Sequence, residues 1–363
     1  MLPKSLRCAF QSCYGEISRC RVRKSLVLKA LFVMTLLVIF KLYRLSIGSI
    51  AHDCDRVVPK LEPKGHKVTN FSHKFIIPEV GLCSGTTGPF LLVIIESDIQ
   101  KVEERRAIRN TWGSSGVTKV WANGAPLKEE VRILFIFGVT NDPDGYDIPA
   151  QESRKYGDVV QADFLDTYRN LTLKTTAAMK WASIYCSSAK FILKADDDVF
   201  IHIPNWIEDL NTIRIDRFFL GHFMCENTVF RYGRWSVSKS SYPYEVYPVH
   251  DSGPFYAFRG NMTKDLFNLA EHMPYIPVED AFFSGILAQI LNAEVVRKNE
   301  LFCWSLCDCY FERGDKNGLM GVSVNNMYDL WNNFKYKPVE ISDFSKKWLR
   351  LKFYLQHCFA PRQ

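Results

Sequence analysis

An apolar run ends in three consecutive aspartates: Phe191-Ile192-Leu193-Lys194-Ala195-Asp196-Asp197-Asp198-Val199-Phe200-Ile201. Three adjacent carboxylates are not desolvated together at neutral pH unless a cation joins them. Side chains alternate along a strand, so Asp196 and Asp198 face one way and Asp197 the other. Two carboxylates converging at one edge make a seat for a hard divalent cation, which in turn holds a diphosphate. The competing reading is a solvated acidic turn. Apolar residues on both sides weigh against it.

The surrounding pattern says what kind of strand this is. Phe90 to Glu96 and Val131 to Val139 read as buried strands, Tyr156 to Gln161 as a short third one, and Lys190 to Lys194 as the strand that ends in the aspartates. Between and after them come helical segments over Glu103 to Trp112, Leu171 to Cys186 and Pro204 to Ile213. Strands alternating with helices imply an α/β fold, with a mainly parallel central sheet covered by helices on both faces. Ligands bind such sheets at the carboxyl ends of the strands, where the aspartates lie.

The N-terminus sets the compartment. Leu26 to Tyr43 is apolar apart from Lys29 and Lys41, which snorkel to the two headgroup layers and bring the stretch to a plausible span. Lys4, Arg7, Arg19, Arg21, Arg23 and Lys24 precede it against one acid, Glu16. Positive-inside logic gives a cytosolic tail (1–25), a transmembrane signal anchor (26–46) and a lumenal remainder. The rival is a cleaved signal peptide, against which the long basic leader argues. Residues 47–88, rich in Pro, Gly, Lys and His, read as a stem. Residues 89–340 form the folded domain, and 341–363 a basic and aromatic tail. The formal charge of +7 is mild, and with no nucleic-acid motif it makes no case for a nucleic-acid partner.

Of eleven cysteines, Cys8, Cys13 and Cys20 precede the anchor and the rest are free to pair in an oxidising lumen. Cys303, Cys307 and Cys309 match no common zinc spacing, which favours disulfides. Cys54, just outside the membrane, offers a homodimer link through the stem. Asn70, Asn170 and Asn261 head N-x-S/T sequons and are candidate N-glycosylation sites.

After Phe218 the chain turns aromatic and irregular, with Phe230, Tyr232, Trp235, Tyr242 and Tyr247 among the residues. Such residues either pack sugar rings or fill the core of a small second sheet. Further on, Glu279 and Asp280 open a helix whose buried stripe is Phe283, Ile286, Leu287, Ile290 and Leu291. Acids there complement the helix dipole, or one of them serves as a general base.

Four segments together resemble the β1,3-galactosyltransferase and β1,3-N-acetylglucosaminyltransferase family, relatives of fringe. They are Arg105-Arg106-Ala107-Ile108-Arg109-Asn110-Thr111-Trp112-Gly113, the stretch from Tyr156 to Thr175, Lys194 to Phe200, and Glu279-Asp280-Ala281-Phe282. The resemblance covers roughly residues 88 to 335 in the family's order. It implies a GT-A nucleotide-sugar-binding fold and a Golgi type II membrane enzyme. The implied reaction moves a sugar from a UDP-sugar, with inversion, to the 3-hydroxyl of an acceptor glycan on lipid or protein.

On that scheme Asp198 and Asp196 are metal ligands for Mn²⁺, with Asp196 also toward ribose or donor sugar. Asp197 and Lys194 lie on the nucleotide-sugar side, and Asp280 is the catalytic base. Arg106 and Arg109 either reach the uridine diphosphate or fix the first helix by salt bridges. The chain departs from the family at Tyr247 to Tyr256, where the acceptor-side segment differs. It departs again at Gly318 to Asn326, which lacks the family's metal-binding histidine.

UDP-galactose is the first donor expectation, UDP-N-acetylglucosamine the second and UDP-N-acetylgalactosamine the third. A non-catalytic sugar-binding relative and a metal-dependent phosphotransferase are the other classes. No phosphate loop of the GxxxxGK[ST] kind supports the last.

Overall fold

The computed structural model describes residue 35 and residues 58–336, apart from 72, 86–87, 226, 300–301 and 305–315. The expected anchor, apart from residue 35, and Cys54, Cys307, Cys309 and the tail from 341 lie outside the described residues. Among the described residues no helix is long and apolar enough to cross a membrane. Cys83 and Cys186 form a disulfide, and Cys225 is also disulfide-bonded.

The strands are β1 (Phe75–Ile77), β2 (Leu91–Glu96), β3 (Val131–Val139), β4 (Val159–Leu165), β5 (Phe191–Asp196), β6 (Val199–Ile201), β7 (Phe218–Gly221), β8 (Phe223–Met224), β9 (His250–Asp251), β10 (Phe255–Arg259), β11 (Glu294–Arg297), β12 (Phe302–Trp304) and β13 (Gly318–Met320). The principal helices are α1 (Val102–Asn110), α2 (Ile148–Tyr156), α3 (Leu171–Tyr185), α4 (Ile203–Thr212), α5 (Thr263–Glu271), α6 (π-helical Ala281–Leu287, then Ala288–Ile290) and α7 (Val324–Tyr336).

Eight strands form one mixed sheet in the order β1-β4-β3-β2-β5-β10-β7-β11. The run β4-β3-β2-β5 is parallel, as the alternating pattern implies, and β11 is parallel to β7. Strand β10, antiparallel to both β5 and β7, breaks the parallel order. From β2 the chain builds outward through β3 and β4, then crosses back to place β5 on the other side of β2. The carboxyl ends of β2 and β5 therefore flank a topological switch point, the place where such sheets open a ligand crevice. Glu96 and Asp196 are register partners there.

Alternation sorts the two faces. Leu91, Val93 and Ile95 of β2 and Phe191, Leu193 and Ala195 of β5 pack with Ala107 and Ile108 of α1, Trp206 of α4 and Met327 of α7. Leu92, Ile94 and Ile192 pack the other way, against Ala178 and Trp181 of α3, Leu266 of α5 and Phe282 of α6. The side chains of Glu96, Lys194 and Asp196 belong to this second face, and α6 brings Glu279 and Asp280 to it.

Two boundaries differ from expectation. Tyr156 ends α2 rather than starting a strand, because Gly157 takes a left-handed φ of +63° and stops the helix. The strand follows at Val159 and runs on to Leu165. Helix α2 is short and polar, so it left no periodic trace in the sequence. The aspartates also do not continue one strand: Asp197 and Asp198 turn between β5 and β6.

Trp112, fully buried, donates its Nε1–H to the carbonyl of Val199 at 3.1 Å, which ties the turn after α1 to the residue after the triplet. Trp112→Phe leaves that carbonyl unpaired and is expected to cost about 1–3 kcal/mol in chemical unfolding. An unchanged unfolding midpoint and slope would show that the bond does not support this turn.

Candidate active site

The triplet divides by side-chain direction. Asp197 is buried: its Oδ2 accepts from Ser97 Oγ at 2.8 Å and from the Asp98 amide at 3.3 Å, and its Oδ1 from Lys101 Nζ at 2.6 Å. It staples the loop after β2 to the end of β5. Asp196 points to the opposite face, where its Oδ1 accepts from Lys194 Nζ at 2.6 Å and its side chain stays 38% exposed. Burial of its surroundings pushes its pKa up to about 7, against the pull of Lys194. Asp198 is exposed at the turn, and partial desolvation followed by the adjacent Asp197 charge raises its pKa.

Lys194 is 2% exposed, and its ammonium serves several acceptors. Besides Asp196 it donates to the Gly253 carbonyl at 3.0 Å and lies 3.5 Å from Glu279 Oε2 and 3.8 Å from Glu96 Oε2. Burial alone would favour the neutral amine. The Asp196, Glu279 and Glu96 carboxylates outweigh it and hold the lysine charged, its pKa well above the ordinary value. Glu279 also accepts from Tyr256 Oη at 2.5 Å, and Glu96 from Thr175 Oγ1 at 2.5 Å. Tyr256 is the cross-strand neighbour of Lys194 on β10. Burial raises the Glu96 carboxyl and pushes Glu279 up to about 8, opposed by Lys194.

Asp280 ends the approach to α6. Its Oδ1 accepts from the Ala281 amide at 2.8 Å, and its carbonyl accepts from Ser284 Oγ at 2.7 Å. The helix then runs as a wide π turn through Leu287, a geometry that recurs at functional sites. Gly253, with φ of +107°, lies against it. A Cβ there would sit 3.0 Å from Asp280 Oδ2, so only glycine lets the loop pass between Asp280 and Lys194.

A cavity of about 490 Å³ brings Asp196, Lys194, Glu279 and Asp280 together and continues past Tyr168, Trp235 and Tyr247. It joins the end of β5 to the start of α6, elements distant in the chain.

Arg106 and Arg109 do not line this cavity. Arg106 pairs with Glu103 on the exposed side of α1 at 2.6 Å. Arg109 is held by Asp158 at 2.8 Å and Glu152 at 2.7 Å, with its guanidinium 4.0 Å from the centre of the Tyr156 ring. The fully buried cation of α1 is Arg105, which the sequence reading did not single out. It pairs with Glu152 at 2.8 Å and donates to Ser97 Oγ at 3.0 Å and to the Ile99 carbonyl at 2.8 Å. Lys174 does a similar job from α3, reaching Asp166 at 2.8 Å and the Ser97 carbonyl at 2.7 Å. Of the sequons, Asn70 and Asn261 are exposed, whereas the Asn170 amide donates to the Leu165 carbonyl at 2.8 Å.

Among the described residues no group of three His, Cys, Asp or Glu side chains converges to hold a metal ion. Asp196 lines the cavity, whereas Asp198 stands exposed in the adjoining turn and is not part of the lining; two such hard oxygen donors suit a divalent cation that completes its shell with phosphate and water oxygens. Two aromatic residues of the later segment, Phe230 and Trp235, line the cavity while remaining exposed, as does Tyr168 before it; Phe219, Tyr242 and Tyr256 are core.

Glu279 supplies a pH signature. Its pKa of about 8 stands above the ordinary 4.5, so between those values the folded chain holds a proton that the unfolded chain has released. Its contribution is complete below about pH 4.5 and is lost as pH rises through about 8. Glu279→Gln is therefore expected to flatten the decline of the thermal midpoint across this window relative to the parent. Parallel profiles would refute the assignment.

Residues 103–299 match the model of the galactosyltransferase family. Beta-1,3-galactosyltransferase 5 of Gorilla gorilla gorilla is 37% identical over 218 residues, covering 59% of this chain and 69% of that protein. UDP-GalNAc:beta-1,3-N-acetylgalactosaminyltransferase 1 of Rattus norvegicus is 32% identical over 228 residues, covering 61% of this chain and 66% of that protein. Among solved structures, the galactosyltransferase LgtC with donor and acceptor sugar analogues aligns at 10% identity and a TM-score of 0.36, over 69% of this chain and 98% of that one.

Proposed function

The chain belongs to the galactosyltransferase family, and from that premise we propose that it transfers galactose from UDP-galactose, with inversion, to the 3-hydroxyl of an acceptor sugar. The observation that carries this reading is the single cavity lined by both Asp196 and Asp280. A nucleotide-sugar transferase needs a seat for the departing diphosphate and, within reach of it, a base for the incoming hydroxyl. UDP-N-acetylgalactosamine is the second donor, on the likeness to the rat N-acetylgalactosaminyltransferase. The setting is a Golgi membrane, with the catalytic domain lumenal and the acceptor glycan on lipid or protein.

In this mechanism Asp198 and Asp196 would hold Mn²⁺, which would supply charge neutralisation for the leaving UDP. Asp197 does not share that duty: its oxygens are committed to Ser97, the Asp98 amide and Lys101, and it holds the turn in place. Lys194 orients Asp196 and carries the Gly253 carbonyl. Asp280 uses Oδ1 to accept from the Ala281 amide, which leaves Oδ2 for the acceptor hydroxyl. The hydroxyl oxygen attacks the anomeric carbon as its proton passes to that carboxylate, and the bond to UDP breaks on the opposite face. The buried Glu279 carboxyl, bonded to Tyr256, stays out of the proton transfer and braces the segment that presents Asp280.

The test offers each UDP-sugar with a panel of β-linked acceptors and measures UDP release with Mn²⁺ or EDTA. Asp280→Asn is expected to lower turnover by about 10²- to 10⁴-fold while UDP and Mn²⁺ still bind. Asp198→Ala is expected to lose that binding. Full turnover in Asp280→Asn removes the base assignment, and no release with any donor and acceptor pair removes the transferase reading for this chain.

A further inference from the structure

We propose that Tyr247 and Asn227, with Phe230 and Trp235, form a subsite that binds one pyranose ring of the acceptor glycan beside Asp280. The inference rests on the transferase reading and adds the residues that would select the acceptor.

All four residues line the cavity that holds Asp280. Tyr247 is 4% exposed, and its ring is fixed by Tyr242 at 4.9 Å and His250 at 5.6 Å between centroids. Its hydroxyl is buried and has no hydrogen-bond partner among the described residues. Burial, then the neighbouring Tyr242 and the Asp280 carboxylate, raise the phenol pKa, so the hydroxyl keeps its proton and sits within the electrostatic reach of Asp280.

Asn227 is tied to Tyr247 through its backbone, its carbonyl accepting from the Tyr247 amide at 2.7 Å. The side-chain Nδ2 donates to the Pro248 carbonyl at 3.0 Å. A carbonyl only accepts, so this bond fixes which end of the amide is which. The other end, Oδ1, is buried and unpartnered among the described residues. Folded proteins seldom leave such groups orphaned, because each costs its lost hydration. Here one phenol that can donate and one oxygen that only accepts share the same cavity.

The nearby wall is aromatic. Phe230 and Trp235 are half exposed, with ring centres 6.2 Å apart. The indole Nε1–H is already spent on Tyr168 Oη at 2.8 Å, so Trp235 offers its ring and not its donor. A pyranose matches this set: C–H groups on its face cover an aromatic ring, and hydroxyls on its edge both donate and accept. None of the four residues carries a positive charge, so a diphosphate does not match this end of the cavity. Lys194 is the one lysine or arginine among the described residues lining the cavity, and its ammonium is surrounded by carboxylates.

The experiment uses the full-length chain with UDP-galactose and, in turn, methyl β-galactoside and methyl β-N-acetylglucosaminide. Tyr247→Phe deletes one oxygen and Trp235→Ala removes the exposed ring. Each is expected to raise the acceptor KM roughly tenfold, with the donor KM unchanged. Tyr232, 85% exposed on the same loop and outside the cavity lining, supplies the control, and Tyr232→Ser is expected to change neither constant. An acceptor KM within twofold of the parent in both variants overturns the subsite. If the parent chain transfers to no acceptor, the function reading fails by itself. Saturation-transfer NMR with the same two glycosides then decides: signal lost in Trp235→Ala upholds the sugar site, and signal absent from the parent or retained in the variant overturns it.

Discussion

One buried ammonium organises this site. Lys194 sits on the central strand β5 with Glu96, Asp196 and Glu279 around it, carboxylates from the neighbouring strand, its own strand and the segment that opens α6. Acids this close would repel one another without the lysine, and the lysine would not remain charged without them. The Gly253 carbonyl on the same ammonium adds the loop between β9 and β10. The strand end that bears Asp196 and the helix start that bears Asp280 are thus held at a fixed separation by a cation that itself takes no part in the proposed chemistry.

Much of this layout was legible in the sequence because it follows from alternation and from where a buried run stops. Phe90 to Glu96, Val131 to Val139 and Lys190 to Lys194 read as strands, and strands lie there at Leu91–Glu96, Val131–Val139 and Phe191–Asp196. The opposed directions of Asp196 and Asp197 follow from a period of two, although a turn begins at Asp197. Glu279 and Asp280 were legible as the opening of a helix, but not the π turn that follows, because the apolar stripe of Phe283, Ile286 and Leu287 reads the same for either helix.

What the sequence withheld are pairings across the chain. Arg105, Arg106 and Arg109 look alike in a string of letters. Only the fold shows that Arg105 is buried against Glu152, that Arg109 is shared by Glu152 and Asp158, and that Arg106 reaches no farther than Glu103. Glu96 ends an apolar strand and could have been flagged for that alone, yet its relation to Lys194 needs the β2–β5 register. The aromatic stretch was ambiguous for a physical reason. Buried Tyr242 and exposed Trp235 have similar composition and no regular period around them to say which way each one faces.

The sheet changes character at one seam, where β10 runs antiparallel beside β5. On one side, β4-β3-β2-β5 is bound by crossover helices, and a change in the length of any connection would disturb strand packing. On the other, the chain leaves the sheet after β7 and rejoins it only at β10, and the excursion, which pairs its own β8 and β9, carries Asn227, Phe230, Trp235 and Tyr247. Within it Val229, Val237, Tyr242 and Tyr247 are buried while Phe230 and Trp235 stay half exposed, so it is pinned at a few points and open between them. The architecture thereby joins a chassis locked by strand register to a fitting fastened at separate points, whose half-exposed rings can shift without unlocking the sheet.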